Sequence, residues 1–202
     1  MGSPLKNVTS IILAGGRSAR FGSDKGLATW RGQRLVDHVL ERLPVERADT
    51  VLVLRQEQDQ GFWPGITTVH DDPGLGDGPL RGVIGGLEAC RTPWAWVVAC
   101  DQPLINTDLL GALYQSAKPD DRVLIPEWKG RLQPLTGLYA LETGPLLADR
   151  AAAGEHSLIG ALKTIGFRVF TEEECRRYDP TGAGFLNVNR PEQLAELEGF
   201  ES

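Results

Sequence analysis

The chain has 202 residues, 41% of them hydrophobic, and a formal net charge of −6, values typical of one compact globular domain. The acidic balance argues against nucleic acid as a partner, because binding a polyanion requires a basic surface. The chain lacks the apolar core of a signal peptide, and no apolar run approaches the ~18 residues that span a bilayer. We therefore expect a single soluble, cytoplasmic domain over residues 1–202, with residues 1–6 flexible and no nucleic-acid or membrane partner.

The first half of the chain alternates short β-rich runs with helical patterns. Strands are predicted at 8–14, 50–54, 67–70 and 94–100, and helices at 33–43, 80–90 and 108–117. This order is typical of βαβ units around a mostly parallel sheet. We predict an α/β fold of three αβα layers with a Rossmann-like sheet.

The second half is more mixed. Strands at 123–126 and 135–141 flank a turn at Gly130, and short strands are predicted at 167–170 and 184–188. Helices are predicted at 144–153 and 158–165, with a last helix from Pro191, a favoured first helical residue. The cysteines Cys90, Cys100 and Cys175 fit no compact zinc spacing, so we expect reduced thiols.

A glycine-rich segment follows the first strand. The runs 11–13 and 96–99 are apolar throughout, as expected of central strands, and ligands of such folds bind at the carboxyl ends of strands. Glycines let backbone N–H groups approach phosphate oxygens, and nearby cationic side chains add charge. The alternative is a plain turn with solvated basic residues. The segment matches neither GxGxxG nor the Walker pattern, and it contains Gly15, Gly16, Arg20, Gly22, Lys25 and Gly26.

Residues 13–26 read LAGGRSARFGSDKG. This run resembles the signature loop of nucleotidyltransferases with a glycosyltransferase-A-like fold, also described as nucleotide-diphospho-sugar transferase-like. Its LAGG start and DKG end are similar to molybdenum cofactor guanylyltransferases, whereas relatives that use CTP more often carry Ala in place of the first glycine. The resemblance implies that Arg20 and Lys25 are catalytic and stabilise the α-phosphate and the leaving group. The nucleotide-binding residues that it implies here are Leu13, Ala14, Gly15, Gly16 and Lys25.

An acidic residue, Asp101, follows the strand predicted at 94–100. A carboxylate at this point can hold Mg²⁺ while the ion takes phosphate oxygens from a nucleotide. The alternative is that Asp101 caps the following helix or ends the strand. The sequence CDQP resembles the metal-binding motif of the family, which implies that Asp101 is catalytic, binds the nucleotide and holds Mg²⁺. Residues 185–191, FLNVNRP, resemble the Asn-x-Asn-x-Pro element of the family. The resemblance makes Asn189 a candidate ligand of the metal or of the acceptor phosphate, with a helix cap as the alternative.

The segment from Asp71 to Gly82 resembles the family loop that closes over the base and ribose. An acidic side chain there could accept the N1–H and N2–H donors of guanine. Asp71 and Asp72 are both candidates, and a turn role is possible for either. The family frame selects Asp71, and it adds Pro79 and Leu80 to the nucleotide-binding residues.

The acceptor side is less well matched. The family usually has an Asn after its second strand, where this chain has Leu54 and Arg55. The segment 133–136 resembles the pterin side, Trp128 is a candidate to face a flat pterin, and His156 stands where a basic Arg is often found, although a surface role fits an isolated His better.

The resemblance implies transfer of GMP from GTP to the terminal phosphate of molybdopterin or molybdenum cofactor, with release of pyrophosphate. Cofactor-delivery proteins or acceptor enzymes are implied as possible partners. One alternative is a related nucleotidyltransferase that uses CTP or UTP with another phosphate acceptor. A second is a non-catalytic protein that binds GTP for a partner.

Overall fold

The computed structural model describes residues 6–15, 28–56, 58 and 63–200. The strands in this part of the chain are β1 (Val8–Leu13), β2 (Thr29–Trp30), β3 (Gln33–Arg34), β4 (Thr50–Leu54), β5 (Thr67–His70), β6 (Trp94–Ala99), β7 (Val123–Trp128), β8 (Arg131–Leu132), β9 (Thr136–Ala140) and β10 (Arg168–Phe170). The α-helices are α1 (Leu35–Arg42), α2 (Pro79–Ala89), α3 (Thr107–Ser116), α4 (Thr143–Ala152), α5 (Leu158–Ile165), α6 (Glu172–Arg176) and α7 (Leu194–Leu197).

The main sheet has the strand order β10-β7-β9-β6-β1-β4-β5, and β8 extends β7 as a hairpin. Strand β1 pairs in parallel with β4 and β6, β4 pairs in parallel with β5, and β10 pairs in parallel with β7. Strand β9 is antiparallel to both of its neighbours. The predicted α/β class with a mostly parallel sheet is confirmed.

Two hydrophobic cores lie on opposite faces of this sheet. Successive side chains of a strand point to opposite faces, so Ile12 packs with residues of α1 and α3, whereas Ile11 packs with residues of α2, α4 and α5. Strands β4 and β6 are almost wholly buried because helices cover them on both sides. The continuous apolar runs seen in the sequence have this physical origin.

One predicted boundary and one predicted strand were wrong. The helix predicted from residue 33 begins at Leu35, because Gln33 and Arg34 pair with β2. The strand predicted at 184–188 is absent, and a short 3-10 turn, Ala183–Phe185, lies there instead. The buried carboxylate of Asp179 accepts hydrogen bonds from the backbone N–H groups of Gly182, Ala183 and Gly184. These donors therefore have a side-chain partner in place of a strand partner.

The end of the chain also differs from the predicted helix. Pro191–Gln193 forms a 3-10 turn that leads into α7. No helix in the described part of the chain is long and apolar enough to cross a membrane.

All three cysteines are buried within the described residues, and none forms a disulfide. Burial raises the pKa of the Cys90 thiol to about 11, although a hydrogen bond with Thr9 opposes the rise. Burial also raises the pKa of Cys175 to about 12. Because the thiolate is the reactive form, these two side chains behave at neutral pH as small apolar groups.

Adjacent glycines of α2 provide a matched test of the packing between this helix and β1. A Cβ on residue 86 would collide with Cγ2 of Ile11, whereas one on residue 85 would meet only the His70 carbonyl oxygen at 3.7 Å. Gly85→Ala should therefore stabilise the protein by up to ~1 kcal/mol through helix propensity. Gly86→Ala should destabilise it by ~1–3 kcal/mol through overpacking. Urea unfolding measures both variants, and equal midpoints would contradict the packing.

Candidate active site

Backbone hydrogen bonds align the carboxyl ends of four neighbouring strands. The N–H of Cys100 donates to the Leu13 carbonyl at 3.1 Å, and the N–H of Ala14 donates to the Val53 carbonyl at 2.9 Å. The N–H of Asp71 donates to the Leu54 carbonyl at 2.8 Å. The segments that leave β1, β4, β5 and β6 therefore emerge side by side at one edge of the sheet. This is the edge at which open α/β sheets bind ligands.

Gly15 lies where the segments after β1 and β4 approach each other closely. A Cβ on residue 15 would lie 3.0 Å from Cγ of Arg55, 3.2 Å from its backbone N and 3.5 Å from Oδ2 of Asp71. A side chain at this position would therefore displace backbone. The buried Gln58 holds the same region, since its Nε2 donates to the Ala14 carbonyl at 3.2 Å and its Oε1 accepts from the Arg55 N–H.

The two adjacent acids after β5 have different environments. Oδ1 of Asp72 accepts the Gly74 N–H at 2.8 Å and caps the short turn Pro73–Leu75, a local role typical of Asp. Asp71 is buried beside Gly15, and its Oδ2 lies 2.7 Å from Nε of Arg81 in the first turn of α2. The geometry thus separates a turn residue, Asp72, from an acid that faces the strand ends, Asp71. Pro79 and Leu80 begin the helix that carries Arg81.

Asp101 lies two residues beyond β6 and is half-buried. Its backbone carbonyl accepts the Val188 N–H at 2.8 Å, which brings the C-terminal segment to the same edge. Among the described residues, no group of three or more His, Cys, Asp and Glu side chains could hold a metal ion. A single hard carboxylate at this point fits a divalent cation that keeps waters and takes further oxygens from a bound phosphate.

A cavity of about 300 Å³ adjoins this edge. Polar and apolar side chains contribute to its wall, namely Pro79, Gln102, Gln133, Pro134, Leu135, His156, Ser157, Leu158, Ile159 and Asn187. Gln102 is only 2% exposed, and its Oε1 accepts a hydrogen bond of 3.0 Å from the hydroxyl of Thr136 on β9. That bond fixes the orientation of the Gln102 carboxamide next to Asp101.

Sequence reasoning identified some of these residues and missed others. Gln58 and Gln102 were not predicted as functional residues. Arg81 and Thr136 lie in the segments 71–82 and 133–136, which were predicted to belong to the site, but neither residue was given a role. Each of the four owes its position to a partner on another element. The suggestion that Trp128 faces a pterin was wrong. The indole is 6% exposed, stacked on Phe185 at 5.3 Å between ring centroids and covered by the guanidinium of Arg176.

The predicted site residues that the structure describes gather at this edge. Those residues are Leu13, Ala14, Gly15, Asp71, Pro79, Leu80 and Asp101, and the exposed Asn189 directly follows Val188. Gly16, Arg20 and Lys25 lie outside the described residues, as does most of residues 1–6. The functional roles of all these side chains stay predictions.

The site lies at the carboxyl ends of the strands of a mostly parallel α/β sheet, where such folds bind nucleotides. Residues 10–165 match the family model of the MobA-like NTP transferase domain. The chain belongs to this family.

Individual relatives agree with that assignment. A protein of Chloroflexus aggregans named probable molybdenum cofactor guanylyltransferase is 35% identical over 199 residues, which cover 96% of this chain and 94% of the relative. The crystal structure of molybdopterin-guanine dinucleotide biosynthesis protein A from Archaeoglobus fulgidus has a TM-score of 0.80 at 24% identity, with 95% of this chain and 97% of that chain covered.

The fold alone does not select a base. The Thermus thermophilus 2-C-methyl-D-erythritol 4-phosphate cytidylyltransferase has a TM-score of 0.69 at 13% identity, over 95% of this chain and 97% of that chain. The overall fold is therefore not sufficient to set the base preference.

The bond between Thr136 and Gln102 can be tested by an isosteric substitution. Thr136→Val removes the hydroxyl donor and leaves the buried Oε1 of Gln102 without this partner, so the free energy of unfolding should fall by ~1–3 kcal/mol. Thr136→Ser keeps the donor and loses only a methyl group, at a cost of roughly 1 kcal/mol. Denaturant unfolding compares the two. A valine variant as stable as the wild-type protein would contradict a stabilising role for the bond.

Proposed function

We propose that this protein transfers GMP from GTP to the terminal phosphate of molybdopterin or molybdenum cofactor and releases pyrophosphate. The observation that carries the proposal is the position of Asp71 and Asp101 at one sheet edge, with Gly15 beside Asp71, in a chain of the MobA-like family. The 35% identity to a relative named as a guanylyltransferase supports guanine as the base.

The two acids have separate tasks in this proposal. Three inter-strand spacings separate β5 from β6, which is roughly 14 Å across the edge. The base would lie at the β5 end beside Asp71, and the phosphates would lie towards Gly15, the predicted phosphate loop and Asp101. The cavity beside Gln102 would take the pterin side of the acceptor.

The reaction requires no covalent intermediate with the protein. An oxygen of the acceptor phosphate attacks the α-phosphorus of GTP in line, and the bond to pyrophosphate breaks. Positioning and electrostatic stabilisation are the contributions expected of the protein in such a transfer. In the proposal, Arg20 and Lys25 stabilise the α-phosphate and the leaving group.

Asp101 would hold Mg²⁺, with Asn189 as a candidate further ligand. When bound, the ion would neutralise the charge on the phosphates. Oxygen ligands of this kind suit Mg²⁺, which usually keeps several waters. A cytoplasmic location and partners that deliver the cofactor or accept the product stay predictions from the sequence.

The direct test is product formation. The purified protein is incubated with Mg²⁺, molybdopterin and GTP, CTP or UTP, and the dinucleotide is measured by mass together with released pyrophosphate. We expect a dinucleotide product with GTP and no dinucleotide product with CTP or UTP. A clear preference for CTP would overturn the guanylyl assignment, and no product with any nucleotide would argue against catalysis.

The role of Asp101 can be separated from a structural one. Asp101→Asn keeps the shape but removes the charge, so kcat should fall roughly 100-fold or more. Asp108→Asn is a matched control, because Asp108 is exposed in the first turn of α3, and it should keep wild-type activity. Thermal unfolding of both variants checks the fold. A fully active Asp101→Asn variant would contradict metal binding by this carboxylate.

A further inference from the structure

Arg81 is the cationic partner of the acid that is expected to read the base. Its Nε lies 2.7 Å from Oδ2 of Asp71, and the two side chains are only 11% and 8% exposed. Nη1 of Arg81 donates to the Gly76 carbonyl at 3.0 Å, which anchors the guanidinium. A second acid, Asp77, lies 3.8 Å away but is 81% exposed, so solvent screens that pair.

The Arg81–Asp71 pair keeps unused hydrogen-bonding capacity. Nε of Arg81 is wholly buried and lies against Oδ2 of Asp71, so this atom serves the ion pair and is out of reach of a ligand. Within the part of the chain that the structure describes, the only hydrogen bond that Arg81 donates is the one to Gly76. A guanidinium has five N–H donors, so the remaining N–H groups of this side chain, which is 11% exposed, are available to a ligand that supplies an acceptor.

Guanine presents an acceptor next to a donor on its Watson–Crick edge: O6 lies beside N1–H, and the 2-amino group follows. An arginine donor held beside a carboxylate presents the complementary order. We propose that Arg81 determines base specificity by donating to guanine O6 while Asp71 accepts from N1–H and the 2-amino group. This inference rests on the proposed use of GTP and adds a second base-reading residue to it.

The same pair would reject two other bases. Adenine and cytosine carry an amino group where guanine has O6, and a ring nitrogen acceptor where guanine has N1–H. They would set donor against donor at Arg81 and acceptor against acceptor at Asp71, which is strongly unfavourable away from water. Uracil carries a carbonyl oxygen and an adjacent N–H where guanine has O6 and N1–H, so it matches guanine at these two groups. Uracil must therefore be excluded by its missing amino group at Asp71 and by its smaller size.

The position of Arg81 follows from the local fold. Asp71 directly follows β5, and the turn Pro73–Leu75 then leads the chain to α2. Arg81 is the third residue of that helix. Its side chain therefore reaches back across the loop to Gly76 and Asp71.

The test uses nucleotide binding without an acceptor, measured by calorimetry for GTP, 6-thio-GTP and ITP. Sulfur at position 6 is a weak hydrogen-bond acceptor, so the wild-type protein should bind 6-thio-GTP about tenfold more weakly than GTP. In Arg81→Met this ratio should fall to within about twofold, because the donor is gone. ITP lacks only the 2-amino group, so the preference for GTP over ITP, which reports on Asp71, should persist.

Arg91→Met is the matched control. Arg91 is exposed just beyond the carboxyl end of α2, and its substitution should leave all three affinities unchanged. If Arg81 only orients Asp71, Arg81→Met would weaken GTP and 6-thio-GTP equally and keep their ratio, which would overturn the proposal. Tighter binding of GTP by Arg81→Met would also overturn it, because Arg81 would then compete with the base.

A second variant guards against loss of folding. Arg81→Lys keeps a positive charge beside Asp71, but it lacks the planar guanidinium that can donate to both the Gly76 carbonyl and guanine O6. If Arg81→Met unfolds, the GTP to 6-thio-GTP ratio must still fall in Arg81→Lys. The wild-type affinities for GTP and CTP test the base preference itself. A wild-type preference for CTP would refute the proposed function, whereas a GTP preference with an unchanged ratio in the variants refutes only the role of Arg81.

Discussion

The parallel pairing of β1 with β4 and β6 is the constraint on which the candidate site depends. Leu13 is in register with Val53 on one side and with Ala99 on the other, so three strands end at the same level. Parallel β5 adds a fourth end in register with β4. Because helices cover both faces of the sheet, the polar segments that leave these strands can only gather at its edge. Residues far apart in the sequence become neighbours there.

Local charge at this edge differs from the charge of the whole chain. The protein carries a net charge of −6, yet Asp71 is compensated by Arg81, and Arg55 lies beside Gly15. A buried carboxylate without such a partner would carry a large desolvation cost. The ion pair therefore lets an acid stay close to the strand ends, where it can meet a base, in a site that must also attract a polyphosphate.

Sequence reasoning worked best where local and tertiary preferences agree. The central strands and the helices α2, α3, α4 and α5 were predicted to within two residues, because each has a strong apolar pattern. It failed at short elements such as the β2–β3 hairpin and α6, which have too few residues to show a periodic pattern of apolar side chains. It also failed at 184–188, where backbone donors bond to the Asp179 carboxylate, to carbonyls of the local turn and to the Asp101 carbonyl in place of a neighbouring strand.

Local pattern and motif were enough to predict the class of fold, the position of Gly15 after β1 and the two acids that follow β5 and β6. Which side chains contact each other depends on tertiary packing. Arg81 pairs with Asp71 across a loop, and Thr136 binds Gln102 from a strand that follows it by 34 residues. Ion pairs and side-chain hydrogen bonds depend on distances of about 3 Å, and such distances between separate elements arise from packing, which a linear pattern does not encode.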